Sequence, residues 1–117
     1  MGAKRAYGRW EIPAETLQNP TAEVARDCFI DCFYEAQKEV FSRPEAGEAP
    51  PEERLQEMVE EAVRMVFEQV GADFEQPSKE VLQKVLNALV QNASSWGTPK
   101  DIVEHHQSQL QTLLGKL

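Results

Sequence analysis

Residues 78–97, which read SKEVLQKVLNALVQNASSWG, are the most evenly apolar stretch of the chain and decide its fold class. At 100° per residue, its apolar side chains fall within about half a turn of a single helix. Ser78 is a preferred N-cap residue, and Gly97 lies where a helix end favours a left-handed residue. A helix this apolar needs other helices to cover it. Its predicted inner face consists of Val81, Leu82, Val85, Leu86, Leu89, Val90, Ala93 and Trp96.

Three further helices are predicted by the same periodicity. Asn19 and Thr98 are the predicted N-caps of the first and last helix, because each precedes a proline suited to the first helical position. We therefore expect an all-α, four-helix bundle-like single domain over residues 20–117. An irregular N-terminal arm, with room for one helical turn at residues 14–18, should precede it. The four predicted helices cover residues 20–43, 52–70, 78–96 and 99–114.

The inner faces of the other helices follow from the spacing of their apolar residues. The first helix is unusual, since Ile30, Tyr34 and Phe41 lie on a flank outside its main face and predict contacts on a second side. Its main face consists of Val24, Cys28, Phe29, Cys32, Phe33, Ala36 and Val40. The second helix has Leu55, Met58, Val59, Ala62, Val63, Val66, Phe67 and Val70, and the last has Ile102, Val103, His106, Leu110, Leu113, Leu114 and Leu117.

Charge is distributed unevenly along the chain, whose formal net charge is −8 at pH 7. Residues 1–10 carry three basic and no acidic side chains, whereas residues 11–80 carry eighteen acidic and six basic ones, a net charge of −12. This acidity argues against nonspecific binding to nucleic acid or to an anionic membrane. Because no apolar run of membrane-spanning or signal-peptide length occurs and only two cysteines are present, we expect a cytoplasmic protein.

An acidic ladder, with one carboxylate every four residues, runs along the first predicted helix. Neighbours at this spacing stack above one another, and the four like-charge pairs together destabilise the helix by roughly 1–2 kcal/mol. The ladder should face solvent, and it is interpreted as a solvated face, a docking surface for a basic partner or a metal site. The last interpretation lacks the Glu-x-x-His pairs that such sites use in helical bundles. The ladder consists of Glu23, Asp27, Asp31, Glu35 and Glu39.

Cys28 and Cys32 lie on the apolar face of the first helix. Free cysteines usually pack as small hydrophobic groups, but these two are also candidates for a redox pair. Together with His106 they are weak candidates for metal ligands. His106 itself is expected at the edge of the core, held by a hydrogen bond. Since no nucleophile, base and acid fall into a catalytic pattern, we expect neither an enzyme nor a bound cofactor.

These observations favour a protein that acts through protein–protein contact, as an adaptor, scaffold or regulatory subunit. The partner is another protein or a second copy of the chain, since homodimers are the commonest assembly. The acidic ladder with Ile30, Tyr34 and Phe41 is the predicted partner-binding surface. One alternative is a transcriptional regulator that uses the third and fourth helices as a helix-turn-helix. A second alternative is a metal or redox protein that uses Cys28 and Cys32.

Overall fold

The computed structural model describes residues 11–41, 48 and 50–117, and its regular structure is helical throughout these residues. The predicted all-α class is confirmed, with four long helices and one short one. The short helix, α1, occupies the helical turn expected at residues 14–18, while residues 1–10 of the predicted arm lie outside the described part of the chain. The helices are α1 (Ala14–Gln18), α2 (Ala22–Phe41), α3 (Glu52–Gln69), α4 (Lys79–Ser95) and α5 (Lys100–Gly115).

Helix α4 is buried among the other helices, as its sequence predicts, and α2 shares this central place because it also packs against the three other long helices. Helix α4 packs against α2, α3 and α5, and five of its side chains have no exposed surface. Because burial of each valine or leucine side chain contributes about 1.5–3 kcal/mol, this face contributes substantially to the driving force for folding. The five are Leu82, Val85, Leu86, Leu89 and Ala93.

Both ends of α4 are terminated as expected. The Ser78 hydroxyl accepts a hydrogen bond from the Val81 backbone N–H at 3.4 Å. At the other end Gly97 has a φ of +82°, a left-handed conformation that glycine adopts without a Cβ clash. The chain can therefore turn sharply into α5.

Two other predicted caps were wrong. Helix α2 begins at Ala22, and the N-cap hydroxyl belongs to Thr21, which accepts from the Val24 N–H at 3.1 Å. Asn19 lies outside the helix. Thr98 does not cap α5 through its side chain, because its buried hydroxyl accepts a hydrogen bond from the Gln37 amide at 3.2 Å. That bond ties the α4–α5 connection to α2.

The buried face of α2 is rotated slightly from the predicted one. Val24 was expected in the core but is 38% exposed, and Ala25 is fully buried in its place. Helix α2 packs against α3, α4 and α5, so its buried face extends over much of its circumference. The remaining buried side chains of α2 are Cys28, Phe29, Cys32, Phe33 and Ala36, all of which were predicted.

Helix α3 exposes two large apolar side chains to solvent. Leu55, Val59, Val63, Val66 and Phe67 are buried, as its periodicity predicts. However, Met58 lies on the same predicted stripe and is 41% exposed. The side chain of Met65 is 55% exposed. One edge of the apolar stripe of α3 therefore reaches solvent.

Candidate functional site

The acidic ladder lies along α2 as predicted from its spacing, with a change in environment from one end to the other. Glu23, Asp27 and Asp31 are exposed, whereas Glu35 and Glu39 are half-buried. Asp27 forms an ion pair with Arg26 at 3.2 Å. Although Asp31 is exposed at the surface, its carboxyl is partly shielded from water, and this partial burial, with the neighbouring charges of Asp27 and Glu35, raises its pKa above the usual value. Neighbouring carboxylates therefore repel one another along the ladder.

The apolar flank of α2 is less available than the sequence suggested. Ile30, Tyr34 and Phe41 are half-buried and pack against the core. The Lys38 ammonium lies 5.4 Å from the centre of the Tyr34 ring, a cation–π contact that covers part of this aromatic surface. Of the three apolar residues, Phe41 alone lines the groove described below.

The two cysteines are buried in the core and form no disulfide. Burial raises the pKa of Cys28 to about 11, with further contributions from Asp31 and Asp27. The pKa of Cys32 is raised as well, chiefly by burial. Metal ligation and thiol exchange both require the thiolate, which this environment disfavours. Within the residues that the structure describes, no three His, Cys, Asp or Glu side chains are placed to hold a metal ion.

His106 is more deeply buried than expected. It has no exposed surface, and neither ring nitrogen has a hydrogen-bond partner, so the predicted hydrogen bond at the edge of the core was wrong. Burial, with a smaller contribution from the neighbouring His105, lowers its pKa to about 4. The His105 ring is 5.4 Å away, and its Nε2 contacts the Gln109 amide at 3.2 Å. His106 is therefore a neutral core residue at pH 7, out of reach of a substrate.

The helix-turn-helix alternative corresponds to α4 and α5. Several polar side chains of α5 that could face bases already have intramolecular partners. The side-chain amides of Gln111 and Gln83 exchange hydrogen bonds at 2.6 and 3.2 Å between the two helices. The side-chain oxygen Oε1 of Gln109 accepts a hydrogen bond from the Ile12 backbone N–H at 2.9 Å. At the start of α5 the Lys100 ammonium lies 3.9 Å from the Glu104 carboxylate. DNA binding through α4 and α5 stays a prediction.

The structure brings together an apolar groove that sequence periodicity did not reveal. The groove lies between the C-terminal part of α2 and the N-terminal half of α3, and Trp96, which follows α4, forms one of its sides. Its volume is about 340 Å³. Its rim consists of the more exposed residues Phe41, Met58 and Ala62, and its floor of the buried residues Phe33, Leu55, Val59 and Val63.

The walls of this groove are held in place by specific contacts. The Trp96 and Phe33 rings meet edge to face, with centroids 6.4 Å apart and planes at 87°. Gln37 also lines the groove, and its side-chain amide donates a hydrogen bond to the Thr98 hydroxyl. The groove is therefore an apolar surface on a fixed scaffold, suited to bind apolar groups and without an evident catalytic group.

Carboxylates flank the groove. Helix α2 carries five acidic and two basic side chains, a net charge of −3, and α3 carries six acidic and two basic ones, a net charge of −4. Glu61 follows Met58 by three residues and precedes Met65 by four, so it lies beside both methionines on the helix surface. The described part of the chain places no cation against Glu61 or Glu68, whereas Glu57 pairs with Arg54 at 3.4 Å.

Comparison of the chain with models of protein families, with curated proteins and with solved structures gave no match. In the described residues, no helix combines the length and the apolar character needed to cross a membrane. The function is accordingly inferred from the geometry of the groove and its charges.

Proposed function

We propose that the protein acts through protein–protein contact, as an adaptor, scaffold or regulatory subunit, and that the α2–α3 groove receives its partner. The observation that supports this proposal is an open apolar groove whose rim residue Met58 is 41% exposed in an otherwise well-packed helical protein. Contiguous apolar surface with a charged border is typical of docking sites on soluble proteins. Exposed methionines suit such a site because their flexible side chains adapt to a partner.

The size of the groove fits a macromolecular anchor. A volume of about 340 Å³ accommodates one or two large apolar side chains. Burying each of them stabilises a complex by about 1.5–3 kcal/mol before the entropic cost of association. The groove thus supplies an anchor point, while the surrounding helix surfaces supply the rest of an interface.

This proposal moves the partner-binding surface from the position suggested by the sequence. The predicted surface consisted of the acidic ladder together with Ile30, Tyr34 and Phe41. In the proposed site Phe41 remains a direct contact, and the acidic ladder contributes mainly to the negative potential around α2. The other two apolar residues support the core.

The proposal assigns no catalytic role. His106 is sealed in the core, and Cys28 and Cys32 are buried thiols with raised pKa values. These are the residues whose chemistry would most readily serve a reaction, and none of them reaches the groove surface. Because the two thiols stay reduced most easily in the cytoplasm, we also propose that compartment as the place of action.

Photo-crosslinking in the native cells tests the proposed site. A photoreactive amino acid replaces Met58 on the rim, and the control carries it at Gln56, an exposed residue of α3 outside the groove. We expect the rim position to give an adduct larger than the 13.2 kDa chain. An added Ala62→Trp substitution, which fills the groove, should abolish that adduct.

The outcomes separate clearly. An adduct that forms from Met58, is weak from Gln56 and disappears with Ala62→Trp supports docking in the groove. An adduct that persists with Ala62→Trp, or the absence of any adduct from Met58, overturns the proposed function. Circular dichroism of the purified variants shows whether each retains its helical content.

A further inference from the structure

The groove continues into an exposed apolar stripe along α3. Met58, Ala62 and Met65 are spaced by four and three residues, so their side chains lie on one face over about two helical turns. Met65 extends the apolar rim beyond the groove and is 55% exposed. Two turns correspond to about 10 Å of helix axis. This elongated shape matches the i, i+3/i+4, i+7 contacts of a docked helix better than a compact small molecule.

The charged residues around the groove favour a partner helix of one kind. Glu57, Glu61 and Glu68 lie on the solvent side of α3 next to the two exposed methionines, and both helices that wall the groove carry a net negative charge. An occupant with an apolar face and flanking cations would bury its apolar side chains while its charges meet these carboxylates. Complementary charge at the rim of an interface favours association and excludes acidic competitors.

The same charges disfavour other occupants. A second copy of this chain carries a net charge of −8, so pairing two α2–α3 faces would juxtapose like charges. A fatty acid, an anionic lipid surface or a nucleic acid would meet the same repulsion. Charge complementarity therefore points to a different, basic protein.

We infer that the groove, extended by Met65, binds a basic amphipathic α-helix of a partner protein. Its apolar side chains enter between Phe41 and Met58. Its Lys or Arg side chains face Glu61 and Glu68 and compete with Arg54 for Glu57. This inference rests on the proposed function and adds to it the chemistry and the secondary structure of the partner.

Synthetic peptides provide the test. The probe is a fluorescein-labelled amphipathic peptide of leucine and lysine, LKKLLKLLKKLLKL. Its controls are the glutamate version, LEELLELLEELLEL, and a shuffled leucine–lysine peptide without an apolar face. The protein carries Trp10→Phe, which leaves Trp96 at the groove as the one remaining tryptophan. Fluorescence anisotropy gives the affinity, and the Trp96 emission reports binding at the groove.

We expect the basic amphipathic peptide to bind at least about tenfold more tightly than either control, with an affinity that falls as salt rises. Ala62→Trp should weaken binding about tenfold or more, while Gln56→Trp changes it less than about twofold. Met58→Ser, at an exposed position that leaves the core intact, should weaken binding several-fold.

A matched pair of charge variants separates local contacts from net charge. One variant changes Glu57, Glu61 and Glu68 to Gln, and the other changes Glu15, Glu80 and Glu104, which are exposed residues of other helices. Both lose the same formal charge. We expect the first to weaken binding of the basic peptide at least about fivefold and the second less than about twofold.

Equal losses in the two charge variants would overturn the inference, since the peptide would then respond only to the overall charge. Ala62-dependent binding of the glutamate peptide, or a crosslinked adduct at twice the chain mass, would also overturn it while leaving docking in the groove intact. The absence of any Ala62-dependent adduct in cells is instead the failure of the proposed function itself.

Discussion

Between α4 and α5 the apolar side chains are sealed, whereas between α2 and α3 they surround an open groove of about 340 Å³. Leu86 and Leu89 of α4 and Leu110 of α5 have no exposed surface. On the other side Met58 and Met65 are 41% and 55% exposed. The charges follow the same division, because α2 and α3 carry net charges of −3 and −4, while α4 and α5 carry +1 and −1. All four long helices contribute buried side chains to the core, so the two pairs differ in the apolar and acidic surface that they leave exposed rather than in what they bury.

The largest expected effect is a loss of core packing on the sealed side. Leu89→Ala removes a fully buried side chain and leaves a cavity, so we expect a loss of about 2–5 kcal/mol in the free energy of unfolding. Met58→Ala, at the groove rim, should lower it by less than about 1 kcal/mol because that side chain is already partly in water. Urea denaturation of both variants measures the difference. Equal losses would contradict the division between the two sides.

The second prediction concerns His106 on the sealed side. Its pKa in the folded protein is about 4, against 6.5 for an ordinary histidine, so the folded state disfavours the protonated form. Stability is therefore fully present above about pH 6.5 and is lost as the pH falls from there toward 4. The loss approaches about 3 kcal/mol by linkage, at about 1.4 kcal/mol per pH unit. Urea unfolding at steps between pH 7 and pH 4 measures this slope.

His106→Leu should remove that slope, because no group remains to be protonated at this place in the core. It should also equal or exceed the wild type in stability at pH 7, since a buried imidazole without hydrogen-bond partners is unfavourable. The control His105→Asn changes the half-buried neighbour and leaves the buried ring in place, so most of the slope should remain. Identical pH profiles for wild type and His106→Leu would show that this histidine is not the cause.

A smaller effect is expected at the turn that joins the two sealed helices. Gly97 has a φ of +82°, and a Cβ there would contact nothing within 4 Å, so only the backbone conformation opposes a side chain. We expect Gly97→Ala to lower the unfolding free energy by about 1 kcal/mol. Gly115→Ala, at the end of α5 with an ordinary φ, should instead leave stability unchanged or raise it slightly. Thermal unfolding midpoints compare the two, and a loss at both positions would refute the backbone explanation.

The sequence predicted the sealed side well because that side depends on one-dimensional periodicity. The five buried residues of α4, its Ser78 cap and its terminating Gly97 all follow from spacing and local residue preference. The cap of α2 was misassigned because Asn19 and Thr21 are both local candidates, whereas α5 has no side-chain cap because the Thr98 hydroxyl is bonded elsewhere. Only the three-dimensional packing shows that Thr98 bonds to Gln37 on another helix.

The groove could not be predicted in the same way. Its walls come from α2, α3 and the residue after α4, and its volume depends on how closely those elements approach one another. Periodicity placed Met58 and Ala62 in the apolar stripe of α3 but could not tell that they lie at its exposed edge. Likewise, the pattern placed His106 on the inner face of its helix but not the absence of hydrogen-bond partners around it. Both features depend on neighbours that are distant in sequence.

The smallest predicted effect tests the charged side. Asp31 lies in the middle of the acidic ladder, where partial burial and the charges of Asp27 and Glu35 already raise its pKa. Removing its charge should relieve two like-charge pairs, so we expect Asp31→Asn to raise the unfolding free energy by about 0.5 kcal/mol. Glu23 lies in the first turn of α2, where its favourable interaction with the helix dipole, about 0.3–1 kcal/mol, should outweigh relief of its single like-charge pair with Asp27, so Glu23→Gln should lower the unfolding free energy by a few tenths. The two variants change the formal charge equally, and urea unfolding at low salt should give shifts of opposite sign that shrink as salt is added. Shifts of the same sign would mean that the overall charge of −8, rather than the local arrangement along α2, sets the electrostatic contribution.

Opposite signs would mean that the ladder lowers the free energy of unfolding. Such a loss is expected if the negative potential of the ladder serves to attract a basic partner to the open side of the molecule.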